Sequence, residues 1–202
     1  MTESHPTTER VGGMLLAGGQ SRRFGAEKAV ARFGETLMMD AVAERFARFA
    51  DFAISARPGS AAATRATRLH ATILNDDPSL PSGPLAGVLE GLKWAHARNL
   101  DFLATAPCDA PLLPTDVFER LLDAIGLAPA AFAVTSVGEH PLCAVWQVAL
   151  QTPLEHSLRG GVHPSVRSFL TKQHAERVWF DDARAFANAN TADALLALEQ
   201  SV

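Results

Sequence analysis

A three-layer α/β fold, with helices on both faces of a mostly parallel sheet, is predicted by two observations. Apolar runs of strand length alternate with longer stretches of helical periodicity from residue 11 to the C-terminus, and such alternation gives parallel strands joined by crossover helices. The most reactive side chains also fall just after the strands, where open sheets of this kind bind ligands. In order, Val11–Ala17 reads as strand one. Thr36–Phe49 reads as an amphipathic helix, with Leu37, Val42 and Phe46 at near-helical spacing. Asp51–Ala56 is a short strand, Ser60–Arg68 an Ala-rich helix and Ala71–Leu74 a third strand. Pro84–Arg98 is a helix with proline in its first turn, and Leu100–Ala106 a central fourth strand. Thr115–Ile125 is a helix with Thr115 as its N-cap. Ala131–Val137 and Leu142–Val148 are strands, Ala149–Ser157 and Pro164–Lys172 helices, Arg177–Phe180 a late strand and Thr191–Gln200 the last helix.

A length of 202 residues fits one domain, residues 1–202, and no linker long enough to divide it is evident. Residues 1–10 are polar and read as a flexible tail without a secretion signal. A 48% hydrophobic content supports a substantial core, and a formal charge of −4 excludes the basic stripe of a nucleic-acid binder. No apolar run approaches the roughly 18 residues of a membrane span. The two cysteines, Cys108 and Cys143, form no C-x-x-C pair and read as reduced thiols of a cytoplasmic protein. Cys108 is either a catalytic thiol or, as free cysteines commonly are, a small buried filler.

The richest stretch follows strand one: Leu16-Ala17-Gly18-Gly19-Gln20-Ser21-Arg22-Arg23-Phe24-Gly25-Ala26-Glu27-Lys28. Glycines let a loop turn its N–H groups onto an anion, and Arg22, Arg23 and Lys28 supply cations for a polyphosphate. It is not a P-loop, because Ala29 follows Lys28, nor a G-x-G-x-x-G fingerprint. Asp109, in Pro107-Cys108-Asp109-Ala110-Pro111, ends an apolar strand and suits Mg²⁺, which takes one or two carboxylates plus substrate phosphates. Asn75, Asp76 and Asp77 are either an Asx turn or part of a binding site. Ser82-Gly83-Pro84-Leu85-Ala86-Gly87 opens a helix whose small residues admit a flat base close to backbone, with free N–H groups at its start.

The pattern Leu-Ala-Gly-Gly-x-x-x-Arg-x-Gly-x-x-Lys resembles the signature of nucleotidyltransferases that activate sugars and cofactors. It is most similar to the molybdenum cofactor guanylyltransferases (MobA-like), from about Val11 to Leu195. The resemblance implies a Rossmann-like nucleotidyltransferase fold. It also implies transfer of GMP from GTP to the terminal phosphate of molybdopterin, with release of pyrophosphate and Mg²⁺ as cofactor. Lys28, Arg22 and Asp109 are then the catalytic residues, with Asp109 holding the metal. The nucleotide would meet Leu16, Ala17, Gly18, Gly19, Arg23, Gly25, Lys28, Ser55, Asp76, Pro84, Leu85, Ala86, Gly87 and Asp109. Leu-Ala-Gly-Gly together with Pro-Leu-Ala-Gly resembles the guanine-selecting pair, and Ser55 stands where the family often has Asn. On the second-substrate side the resemblance implies His140, Asn188, Asn190 and Arg167; for His140 the alternative is a structural hydrogen bond, and for the asparagines a turn. Arg159 and His163 are weaker candidates for the pterin phosphate. Molybdoenzymes or their chaperones stay open as recipients. The alternatives are a cytidylyltransferase, a sugar-phosphate nucleotidyltransferase, a kinase-type enzyme, or a GTP-binding delivery module without turnover.

Overall fold

The computed structural model describes residues 8–18, 27–49, 51–160 and 164–200. Its strands are β1 (Val11–Leu16), β2 (Arg32–Phe33), β3 (Thr36–Leu37), β4 (Asp51–Ser55), β5 (Thr72–Leu74), β6 (Phe102–Pro107), β7 (Ala130–Thr135), β8 (Gly138–Gln147) and β9 (Glu176–Trp179). Its α-helices are α1 (Met38–Ala43), α2 (Ala61–Arg68), α3 (Pro84–Ala97), α4 (Val117–Ile125), α5 (Gln151–Arg159), α6 (Val166–Lys172) and α7 (Ala192–Glu199). Seven strands form one sheet in the order β5-β4-β1-β6-β8-β7-β9. Every neighbouring pair is parallel except the two that involve β8.

The reversed β8 has a local cause. Only Ser136 and Val137 separate it from β7, and a two-residue connection closes a hairpin, not a crossover. Gly138 takes φ +140 there, a backbone region that disfavours side chains. The expected strand start at Leu142 is corrected to Gly138. The register slips between Phe132 and Ala133, which face Ala144 and His140 respectively. Pro141, which has no N–H to give the ladder, lies inside that slip.

Other corrections are local. The helix expected over residues 36–49 is a β2–β3 hairpin, then α1, then a 3-10 turn over Glu44–Phe46. Helix α4 begins at Val117 after Asp116, so Thr115 is not its cap, and no side chain caps it. Helix α5 begins at Gln151, after a 3-10 turn over Val148–Leu150. Residues 8–10, expected in a flexible tail, form a 3-10 turn held by an Arg10–Asp101 ion pair and an Asp101 N–H bond to the Arg10 carbonyl.

Two apolar layers sandwich the sheet. Val11, Leu15 and Ile54 face Phe46, Phe118 and Leu121 on one side. Met14, Leu103 and Trp146 face Leu85, Leu89 and Leu154 on the other. Helix α3 and the 3-10 turn after α1 press so closely that β1 carries glycine on both faces. A Cβ on Gly12 would stand 2.7 Å from Trp94, and one on Gly13 would stand 2.5 Å from the Phe46 ring. Phe46 cannot retreat, because it stacks on Phe52 and Phe118 at 5.3 and 4.8 Å. Gly13→Ala is therefore expected to lose about 1–3 kcal/mol by overpacking, read as a lower midpoint in urea unfolding. An unchanged midpoint would show that the ring yields.

Candidate active site

The parallel strands deliver their carboxyl ends to one edge, and the loops there are stitched together by backbone. The Ala17 N–H donates to the Ser55 carbonyl at 2.9 Å, the Ala56 N–H to Leu74 at 3.1 Å and the Cys108 N–H to Leu16 at 3.1 Å. The chain after β1, β4, β5 and β6 thus forms one continuous rim. Three side chains far apart in sequence converge on it. Lys28 Nζ lies 2.5 Å from Asp109 Oδ2 and 2.7 Å from Asn190 Oδ1. Their positions follow from local structure. Lys28 opens a 3-10 turn, Lys28–Val30, after β1. Asp109 follows β6. Asn190 precedes α7, whose Thr191 caps the helix by accepting the Ala194 N–H at 3.1 Å.

The Asn188–Asn190 segment is anchored at both ends. The Ala189 N–H donates to the Asp109 carbonyl at 2.9 Å, and Asn190 N–H to the Asn188 carbonyl at 3.0 Å. Upstream, Phe186 is buried against Phe180 and His140, with ring centroids 4.9 and 4.8 Å apart. The Lys28–Asp109 pair is largely shielded, with side chains 10% and 18% exposed. Asp109 Oδ1 is buried and has no hydrogen-bond partner among the described residues. A carboxylate oxygen in that condition is a hard donor awaiting a cation or a proton. Among the described residues no three His, Cys, Asp or Glu cluster around a common point.

A second group of expected residues meets beside β4 and α3. A Cβ on Gly87 would stand 3.1 Å from Ser55 Oγ, 3.2 Å from Leu16 Cδ2 and 3.5 Å from Asp76 Oδ1, and one on Gly18 would stand 3.6 Å from Ser55 Oγ. Leu16, Gly18, Ser55, Asp76 and Gly87, five of the residues expected at the nucleotide, therefore lie side by side. Burial, reinforced by the negative charge of Glu90, raises the pKa of Asp76. Strain of this kind is common where a carboxylate serves a ligand. Asp77 does something else: it accepts from the Ser79 N–H and hydroxyl at 2.9 and 2.7 Å, which lowers its pKa.

Several expected residues also serve the fold. The side chains of Leu85 and Ala86 are buried in the core, because the first turn of α3 rests on the sheet. The Ala17 N–H is already used within the sheet edge. Arg167 pairs with Glu139 at 2.6 Å, beside a second pair from Arg177 at 3.0 Å. Arg159 pairs with Glu155 along α5 at 2.7 Å. Asn188 is exposed, and its carbonyl closes the turn to Asn190. Gly19, Arg22, Arg23, Gly25 and His163 lie outside the described residues. Burial, first, and Asp109, second, push the Cys108 thiol up to about 12, so it stays protonated and is no nucleophile. Burial raises Cys143 as well.

His140 lies within β8, not ahead of a strand, and shares a 2.9 Å hydrogen bond with Thr135 Oγ1. Burial lowers its pKa. The folded state therefore binds this proton less readily than the unfolded chain. His140 takes nothing from stability above its unfolded pKa of about 6.5, and erodes stability as pH falls below it. His140→Gln is expected to lose less Tm than the parent between about pH 7.5 and pH 5.5. Parallel Tm profiles would contradict the assignment.

Thr135 and Phe186, which hold His140, were not legible as site residues, and neither was Glu27, whose carboxylate reaches the first turn of α2. Glu27 meets backbone amides and Phe186 meets rings distant in sequence. No helix among the described residues is long and apolar enough to cross a membrane.

Residues 13–178 match the profile of the MobA-like NTP transferase domain. The molybdenum cofactor guanylyltransferase of Cereibacter sphaeroides is 38% identical over 192 residues, covering 94% of this chain and 96% of the relative. That of Acidiphilium cryptum is 35% identical over 189 residues, covering 92% of each. The crystal structure of molybdopterin-guanine dinucleotide biosynthesis protein A from Archaeoglobus fulgidus superposes with a TM-score of 0.70 at 20% identity, over 94% of this chain and 97% of that one. This last likeness carries the fold, a nucleotidyltransferase sheet flanked by helices. On sequence and architecture together, the chain belongs to the MobA-like NTP transferase family.

Proposed function

We propose that this chain transfers GMP from GTP to the terminal phosphate of molybdopterin, releasing pyrophosphate. The observation that carries the proposal is the convergence of Lys28, Asp109 and Asn190 on one point, with Asp109 Oδ1 buried and unpartnered among the described residues. Membership of a family whose relatives are named molybdenum cofactor guanylyltransferases supports the choice of substrates.

The acceptor phosphate is already an anion, so the reaction needs no general base. What it needs is in-line positioning and neutralisation of crowded negative charge. Lys28 supplies a cation at the rim, oriented by the Asn190 amide oxygen, and with Arg22 and Arg23 it would grip the triphosphate. Asp109, with Oδ1 buried and without a donor among the described residues, would hold Mg²⁺. A bound Mg²⁺ supplies charge neutralisation at the phosphate oxygens. Ser55, Asp76 and Gly87 would receive the guanine base, with Asp76 as an acceptor for its ring and exocyclic N–H groups. His140 and Asn188 would lie towards the acceptor, as the resemblance to the family implies. Two free thiols fit action in the reducing cytoplasm.

The test is pyrophosphate release from purified protein with Mg²⁺, molybdopterin and each of GTP, CTP, ATP and UTP. Release with GTP alone, dependent on the pterin and on Mg²⁺, is the expected result. Release with CTP would overturn the base assignment. Binding of GTP without any release would overturn the transferase reading in favour of a delivery module.

A further inference from the structure

We infer that Glu27 is a positioning residue for phosphate handling: it clamps the end of the loop after β1 onto helix α2 and so sets where Lys28 reaches. The inference rests on the transferase role proposed for Lys28. Both Glu27 oxygens are engaged. Oε2 accepts the Ala61 N–H at 2.7 Å, and Oε1 accepts the Ala62 N–H at 2.8 Å. These are first-turn amides of α2, which lack intrahelical partners and carry the positive end of the helix dipole.

The contact is more than helix capping. Helix α2 has its own N-cap: Ser60 Oγ accepts the Ala63 N–H at 3.1 Å. What Glu27 adds is a link across 34 residues of chain. The helix at the far end of that link is firmly seated. Ala62 and Ala66 are fully buried, and Arg65 holds Asp40 of α1 through two bonds of 2.9 and 2.7 Å. On the near side, Glu27 and Lys28 lead a tight turn in which the Val30 N–H bonds the Glu27 carbonyl and the Ala31 N–H bonds the Lys28 carbonyl. The ammonium that meets Asp109 and Asn190 is thus one residue from a carboxylate fixed to a buried helix. A catalytic cation displaced by about 1 Å can lose two orders of magnitude in rate, so this clamp acts on turnover.

The experiment compares wild type with Glu27→Ala, Glu27→Gln, Ser60→Ala and Lys28→Ala. It reads kcat and KM for GTP-dependent pyrophosphate release at a temperature well below each Tm, and amide exchange in the peptide after residue 27. Glu27→Ala is expected to lower kcat by about 10–100-fold with a smaller change in KM, and to speed exchange in that peptide. Glu27→Gln keeps a neutral acceptor and should recover part of kcat, which also covers the case in which Glu27→Ala fails to fold. Ser60→Ala, which weakens the same helix end, should lower Tm and leave kcat within about twofold. Full kcat in Glu27→Ala or, if that variant does not fold, in Glu27→Gln, while Lys28→Ala is inactive, overturns this inference alone. So does an equal loss of kcat in Ser60→Ala. Full activity in Lys28→Ala, or no release by wild type with any nucleotide, overturns the transferase reading and this role with it.

Discussion

Lys28→Ala and Asp109→Ala are each expected to reduce kcat/KM for GTP-dependent pyrophosphate release by about 10²–10³-fold, the range seen when one preorganised charge-stabilising group is removed. The two losses should not add. The side chains touch at 2.5 Å, and residues that act on the same charge show strong coupling in double-mutant cycles. Stability should separate them where activity does not. In Asp109→Ala the lysine keeps the Asn190 amide oxygen at 2.7 Å. In Lys28→Ala the Asp109 carboxylate, 18% exposed, loses the Lys28 ammonium while one oxygen is already without a donor among the described residues. Lys28→Ala should therefore destabilise the unliganded protein more, by about 3 kcal/mol. Mg²⁺ should restore more Tm to that variant than to wild type, since a ligand that binds only the folded state stabilises it by mass action. Turnover within twofold of wild type in either variant would remove that residue from the chemistry. An Mg²⁺ response equal in both proteins would remove Asp109 as the metal's holder.

The fold was readable because burial on both faces of parallel strands leaves nearly continuous apolar runs, and β1, β4 and β6 are such runs. Strand direction was not, since it depends on connection length. The polar stretch Gly138-Glu139-His140-Pro141 reads as a loop, yet pairs with β7 as the start of a hairpin. The short β2–β3 pair was missed because two-residue strands carry no period. Lys28 and Asp109 were legible from charge placed after apolar strands, and Asn190 from its resemblance to a family motif. Ser55, Asp76 and Gly87 converge through strand order, which brings β4 between β1 and β5. Glu27 was illegible for a different reason: its partners are the backbone amides of Ala61 and Ala62, and an amide N–H leaves no mark on residue identity.

Gly87→Val is expected to raise the KM for GTP by about 100-fold while the protein stays folded, because the β-branched side chain would occupy space that a bound base needs. Gly87 lies inside α3, where glycine is about 1 kcal/mol worse than alanine for the helix. Its neighbours are close but would need to give only slightly. A Cβ there would meet Ser55 Oγ at 3.1 Å, Leu16 Cδ2 at 3.2 Å and Asp76 Oδ1 at 3.5 Å. All three are side-chain ends that can shift by a few tenths of an ångström. Contrast Gly13, where a Cβ would press on a stacked ring at 2.5 Å. Helix propensity and crowding should nearly cancel in Gly87→Ala, leaving its Tm close to wild type, while its KM for GTP rises several-fold. The groups around Gly87 are a hydroxyl, a carboxylate and a leucine methyl, suited to a flat polar base. Isothermal titration of GTP against wild type, Gly87→Ala and Gly87→Val gives the test. A graded loss of affinity with little loss of Tm locates the base against α3. Wild-type affinity in Gly87→Val would mean that the nucleotide lies elsewhere, and that Asp76 is not its acceptor.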